Sequence, residues 1–167
     1  MKKFTLLLSF ITLLGSMQIH AQGAKKSPPR STEGEIGDVK ITINYNAPSV
    51  RGRTIFGELV AYDKVWRAGA NEATTIEFSA DVKINGKKLK AGKYAFFTMP
   101  KEDGAWPIML NSEAEQWGAY NLDQSKNVIE SEAKVTEIEP VEMLRYSISD
   151  GMIHLEWSTT RISFQVE

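Results

Sequence analysis

Between Val65 and Glu72 the chain reads Val-Trp-Arg-Ala-Gly-Ala-Asn-Glu, which sets Trp66, Arg67, Asn71 and Glu72 around a bend centred on Gly69. A flat aromatic, a fixed cation, an amide and a carboxylate rarely crowd so short a span without a task. Arg51 and Arg53 precede them in the same irregular segment. A guanidinium presents a planar fork of donors that suits carboxylate, phosphate or sulfate. Three arginines with Trp66 as a platform would therefore receive an anion or a sugar. The bland alternative keeps these groups structural: Arg67 pairs with Glu72 to pin the corner, and Asn71 bonds to the backbone of the turn. Trp117 and Tyr120 carry the same ambiguity, between a stacking platform for a sugar ring and part of the core.

Other chemistries are poorly served. The chain has no cysteine, which excludes disulfides, thiol catalysis, Cys-ligated metals and a Cys-linked lipid anchor. With residues 1–21 set aside, His154 is the one histidine left, and a lone His makes a zinc site unexpected. Its strand pattern places it with Met152 and Glu156 on a wet face. A Ser-His-acid triad assembles in space rather than in sequence, but there is no G-x-S-x-G elbow, no Gly-rich phosphate loop and no calcium-loop spacing. Glu58, Asp63, Glu72, Glu113 and Glu115 include enough carboxylates for glycoside hydrolysis, yet nothing in their spacing selects two. The expectation is a binding module without catalysis or cofactor, with Arg51, Arg53, Trp66, Arg67, Asn71, Glu72, Trp117 and Tyr120 as candidate ligand contacts. Its partner would be a small molecule, a glycan or an envelope protein. The alternative is a metal-independent hydrolase of envelope polymers that uses Glu72 as acid or base.

Composition sets the frame for these residues. The chain has 167 residues, 42% hydrophobic and 25% charged, with a formal net charge of -1. One domain of ordinary globular make-up accounts for that, and no basic footprint for nucleic acid is present. Residues 1–21 open with Lys2 and Lys3, continue through an apolar run from Phe4 to Leu14 and end at Ile19-His20-Ala21. This is the layout of a secretory signal peptide, with an apolar run too short to remain as a membrane span. Export to the periplasm or the outside of a bacterial cell is expected, since a thiol-free exported chain suits that setting. Residues 22–37 read as a flexible lead-in and 38–167 as the folded domain.

The elements that must position the candidate residues are short strands. Val39–Tyr45 alternates with one wet face. Thr74–Phe78 and Val82–Ile84 follow, the latter closed by Asn85-Gly86, a hairpin signal. Tyr94–Met99 is apolar on both faces, as in a covered central strand. Pro107 argues for an edge or a bulge in Trp106–Leu110. A short helix is predicted near 112–120, capped by Ser112 with Glu115. Lys134–Ile138, Leu144–Ile148, Ile153–Trp157 and the run through Ile162, Phe164 and Val166 complete the set, with Asp150-Gly151 as a second hairpin turn. About nine or ten short strands with almost no helix predict an antiparallel β-sandwich or jelly-roll-like barrel.

Four strings carry a family resemblance: Pro48-Ser-Val-Arg-Gly-Arg-Thr-Ile-Phe-Gly, Lys64-Val-Trp-Arg-Ala-Gly-Ala-Asn-Glu-Ala-Thr, Gly92-Lys-Tyr-Ala-Phe-Phe-Thr-Met-Pro and Gln116-Trp-Gly-Ala-Tyr. They resemble a bacterial envelope family known only as a domain of unknown function, DUF2911, from about Ser27 to Val166. The resemblance implies a secreted or periplasmic single domain and transfers no catalytic residues.

Overall fold

The structure, a computed structural model, describes residues 26–167. The predicted leader over residues 1–21 and the first part of the lead-in lie outside the described residues.

Nine strands and one 3-10 turn make up the regular structure of the described residues. In chain order they are β1 (Pro29–Ile36), β2 (Val39–Asn46), β3 (Thr74–Phe78), β4 (Val82–Ile84), β5 (Lys87–Leu89), β6 (Gly92–Thr98), β7 (Trp106–Asn111), β8 (Asn127–Ser149) and β9 (Met152–Gln165). Seven of them form one antiparallel sheet in the order β1-β2-β3-β6-β7-β8-β9. The sheet curls into a nearly closed barrel. β8 is 23 residues long and shifts register against β9 after Glu137 and again after Val141. Those shifts bend it across one end of the barrel and bring its second half back to β1. There Thr32 Oγ1 donates to Tyr146 O at 3.3 Å. Gly34 lies so close to Ile148 that a Cβ would sit 3.0 Å from it.

The period-two pattern explains the core. In β2, Ile41, Ile43 and Tyr45 are buried while Lys40, Thr42 and Asn44 are not, which follows from successive side chains pointing to opposite faces. Facing strands contribute Ile76, Phe78, Phe96, Ile108, Leu110, Leu144, Trp157 and Phe164 to one core cluster. The hairpin β4–β5 packs at the end of β9, where Lys83 and Glu167 exchange backbone hydrogen bonds of 2.7 and 2.9 Å. Both two-residue turns predicted from sequence form: Asn85, Gly86, Asp150 and Gly151 all have positive φ, the conformation such turns require.

Three local expectations are overturned. Pro29–Ile36, read as flexible lead-in, is β1, paired with β2 along its whole length. Its glycine and charges suit a strand whose neighbour supplies the apolar face. Pro107, read as marking an edge or a bulge, lies in no edge strand but between β6 and β8, although the pairing of β7 with β8 does shift register at Leu110/Asn111. It is tolerated as the second residue of β7, where its carbonyl accepts from Met99 N and Thr98 Oγ1. The predicted helix near 112–120 is a loop. Gly118 takes φ +67, and the backbone is tied outward instead, Gly118 N to Asn71 O at 3.1 Å and Ala73 N to Gln116 O at 3.0 Å. Tertiary bonds override a capping signal that had no apolar stripe behind it. This loop covers the second face of β6, where Ala95, Phe97 and Met109 form a small cluster with Ala73, Ala119 and Leu122. The doubly covered strand is therefore real.

Candidate functional site

β2 ends at Asn46 and β3 begins at Thr74, and Asn44 pairs with Thr75. Residues 47–73 therefore leave and re-enter the barrel at the same end. They are fixed there by Val50 N to Glu142 O (2.7 Å), Leu144 N to Pro48 O (2.9 Å) and the reciprocal pair between Trp66 and Thr98 (2.7 and 2.9 Å). A cavity of about 410 Å³ lies within this cap. Barrel mouths are a usual place for ligand sites.

Five cations line the cavity: Lys26, Arg51, Arg53, Lys64 and Arg67, with no carboxylate among the lining residues. The apolar wall is Trp66, Leu59, Val60, Val65 and, from β9, Trp157. Trp66 stacks on Trp157 with ring centres 5.9 Å apart and planes 21° from parallel, and Phe56 packs edge-on to both. Trp66 Nε1 donates to Gly69 O at 3.0 Å. Trp157 Nε1 and Arg67 Nε are both buried and have no acceptor among the described residues. Natural structures leave few buried donors unpaired, and each such donor calls for an explanation.

The arginines differ in what they already hold. Arg53 donates from Nε to Val50 O (3.0 Å) and from Nη2 to Ser49 O (2.6 Å). Arg51 donates from Nη2 to Lys26 O (3.1 Å), and its backbone N–H bonds Glu142 Oε1 (3.0 Å). Both strap the cap together. Arg67 does neither: its guanidinium has no hydrogen-bond or ion-pair partner among the described residues. It borders the cavity and runs beneath the 116–120 loop, with Nη1 4.0 Å from the Cβ position of Gly118.

The cap is built with strain. Of the non-glycine residues at positive φ, Asn85 and Asp150 belong to hairpin turns. The other five, Arg51, Asp63, Ala68, Asn71 and Ser158, all lie in residues 47–73 or next to Trp157. A left-handed conformation costs an L-residue roughly 1–2 kcal/mol, and such strain gathers at functional sites. Gly69 is needed for space rather than for φ. A Cβ there would stand 2.9 Å from Thr74 Oγ1 and 3.2 Å from Asn46 O. Gly69→Ala is expected to cost about 1–3 kcal/mol, seen as a lower urea midpoint with unchanged slope.

The eight candidate residues divide into two groups. Arg51, Arg53, Trp66 and Arg67 share the cavity. Asn71, Glu72, Trp117 and Tyr120 lie outside its lining, on the far side of Arg67. Asn71 acts through its backbone carbonyl, which accepts from Gly118 N. The Arg67–Glu72 pair of the structural alternative does not form. Glu72 accepts instead from Asn46 Nδ2 at 2.9 Å and lines a separate cleft of about 420 Å³ with Lys93 and Glu115. Trp117 and Tyr120 are 61% and 83% exposed and take no part in the core. The sequence reading missed Trp157, Lys64 and Leu59 as cavity residues. Trp157 reads as an inward strand residue, which it is, and no local signal tells a core aromatic from one that floors a cavity.

Glu156 also departs from expectation. It is 2% exposed rather than on a wet face, because Arg145 from β8 (2.5 Å) and Arg161 enclose it. Burial would raise its pKa, but the two guanidinia outweigh this and hold it below the usual carboxylate range. His154, half-buried beside it, has Nδ1 2.7 Å from Ser163 Oγ and Nε2 3.4 Å from Ser149 Oγ. Among the described residues no carboxylate is hydrogen-bonded to the ring, so His154 lacks the orienting acid of a Ser-His-acid triad there. Burial, then the charge of Arg161, lowers the His154 pKa from 6.5, against Glu156 and Asp150. Both shifts have one sign for stability. The folded state holds fewer protons than the unfolded chain below pH 6.5 at His154 and below pH 4.5 at Glu156. Stability is therefore full above pH 6.5 and falls in two steps as pH drops. Thermal melts across pH 8 to 3 are expected to show this, and His154→Gln should remove the upper step alone.

Chemically, the cavity offers positive potential, a guanidinium without a partner among the described residues and an aromatic wall. Among the described residues no cluster of three or more His, Asp or Glu is placed to hold a metal. A search of the curated proteins and of the solved structures finds no significant match. The model of a protein family of unknown function, DUF2911, matches residues 27–166, nearly the whole of the described β-barrel, and the chain belongs to that family.

Proposed function

We propose that this protein is a non-catalytic binding module of the bacterial cell envelope or exterior, and that an anionic ligand occupies the cavity at the barrel mouth. One observation carries the reading. The cavity is lined by five cations and no carboxylate, and two of its lining residues, Arg67 and Trp157, hold buried donors without acceptors. An oxyanion in the cavity neutralises the cations and would pair with the terminal nitrogens of Arg67, a guanidinium with no hydrogen-bond partner among the described residues. Export rests on the signal-like residues 1–21.

Hydrolysis by Glu72 draws less support. Its cleft contains a second carboxylate, Glu115, but Lys93 holds that group at 2.5 Å. Calorimetric titration of the protein with sulfate, phosphate and small carboxylates tests the proposal. Binding that is lost in Arg67→Ala supports it, and the absence of binding to any of these anions refutes it.

A further inference from the structure

We infer that the ligand is amphiphilic, a single oxyanion head on an apolar body about the size of a ring or a short chain. This deepens the anion-binding reading and rests on it. Donor capacity in the cavity is uneven. Arg51 through Nη2, and Arg53 through Nε and Nη2, are tied to backbone carbonyls of Lys26, Ser49 and Val50, whereas the buried Nε of Arg67 has no partner among the described residues. One free fork suits one carboxylate, phosphate or sulfate. The remainder of the 410 Å³ is faced by the Trp66–Trp157 stack and by Leu59 and Val60. Trp66 and Trp157 are themselves buried, so it is Leu59 that a bare inorganic anion would leave in contact with water. Leu59 is 48% exposed, and an apolar body at the cavity mouth would cover it. A polyanionic chain would need several free forks in a row, and besides Arg67 the cavity offers the single ammonium groups of Lys26 and Lys64 and the remaining nitrogens of two strapped arginines.

The test is calorimetric titration of the mature chain at constant ionic strength with four sets of compounds. These are inorganic sulfate and phosphate, carboxylates from butyrate to octanoate, phenyl phosphate, and polyphosphate, with octanol as the headless control. Carboxylate affinity is expected to rise about fourfold per buried methylene until the cavity is filled. Phenyl phosphate should exceed inorganic phosphate at least tenfold, and octanol should not bind. Leu59→Ser should flatten the chain-length series. Whether carboxylate or phosphate heads bind more tightly identifies the head group. Equal affinity for sulfate and octanoate, or tightest binding by polyphosphate, overturns the amphiphile while the anion site stands. Binding of none of the anions, or of octanol as tightly as octanoate, overturns the anion site itself.

Discussion

Arg67→Ala is expected to lower affinity for an oxyanion by roughly 10- to 150-fold, equivalent to about 1.5–3 kcal/mol for a hydrogen bond to a charged group. It should do so without destabilising the fold. The second half is the more unusual expectation. Truncating a half-buried arginine normally loses packing of its stem. Here the same change also removes a buried Nε–H that has no acceptor among the described residues, and an unsatisfied buried donor costs about 1–3 kcal/mol. The two effects oppose each other, so the ligand-free stability should stay within about 1 kcal/mol of the parent. Arg67→Lys separates charge from geometry. It keeps the cation but loses the fork, and should recover only part of the affinity. Urea unfolding paired with calorimetry reads both quantities. A variant that unfolds several kcal/mol more easily yet binds anions as before would show that Arg67 is a strut.

Trp157→Ala should be the most destabilising single change at the site. Its side chain is 1% exposed and is stacked on Trp66 and met edge-on by Phe56. Removing a buried indole typically costs about 3–5 kcal/mol in lost transfer energy and residual cavity. Against a domain stability of about 5–15 kcal/mol, that is a large share. Trp157→Phe isolates the polar part. It keeps an aromatic ring but deletes the unpaired Nε1–H, so its stability cost should be well below that of alanine, about 1–2 kcal/mol. A Trp157→Ala variant with nearly parental stability would mean that the stack does not hold the mouth of the barrel.

The two variants probe a division already visible in particular elements. Alternation in β2 and β6, and the Asn85-Gly86 and Asp150-Gly151 turns, were legible because they depend on neighbours one to three residues apart. β1 was not legible, because its polar sequence becomes a strand only when β2 pairs with it. The 112–120 segment misled for the opposite reason: a good local cap met Gly118 and a set of outward tertiary bonds. Glu156 looked wet because its arginine partners come from β8 and from farther along β9.

From its sequence alone this protein was committed to strands, to tight turns and to a polar bend rich in arginine, since backbone sterics and side-chain alternation act over a few residues. Only the tertiary structure decided which of those polar groups share a cavity. Arg67 and Glu72 stand five positions apart, yet the barrel turns them to different clefts, while Trp157, far along the chain, is brought beneath Trp66. Register and barrel closure set such distances, and both are summed over strands that no short stretch encodes.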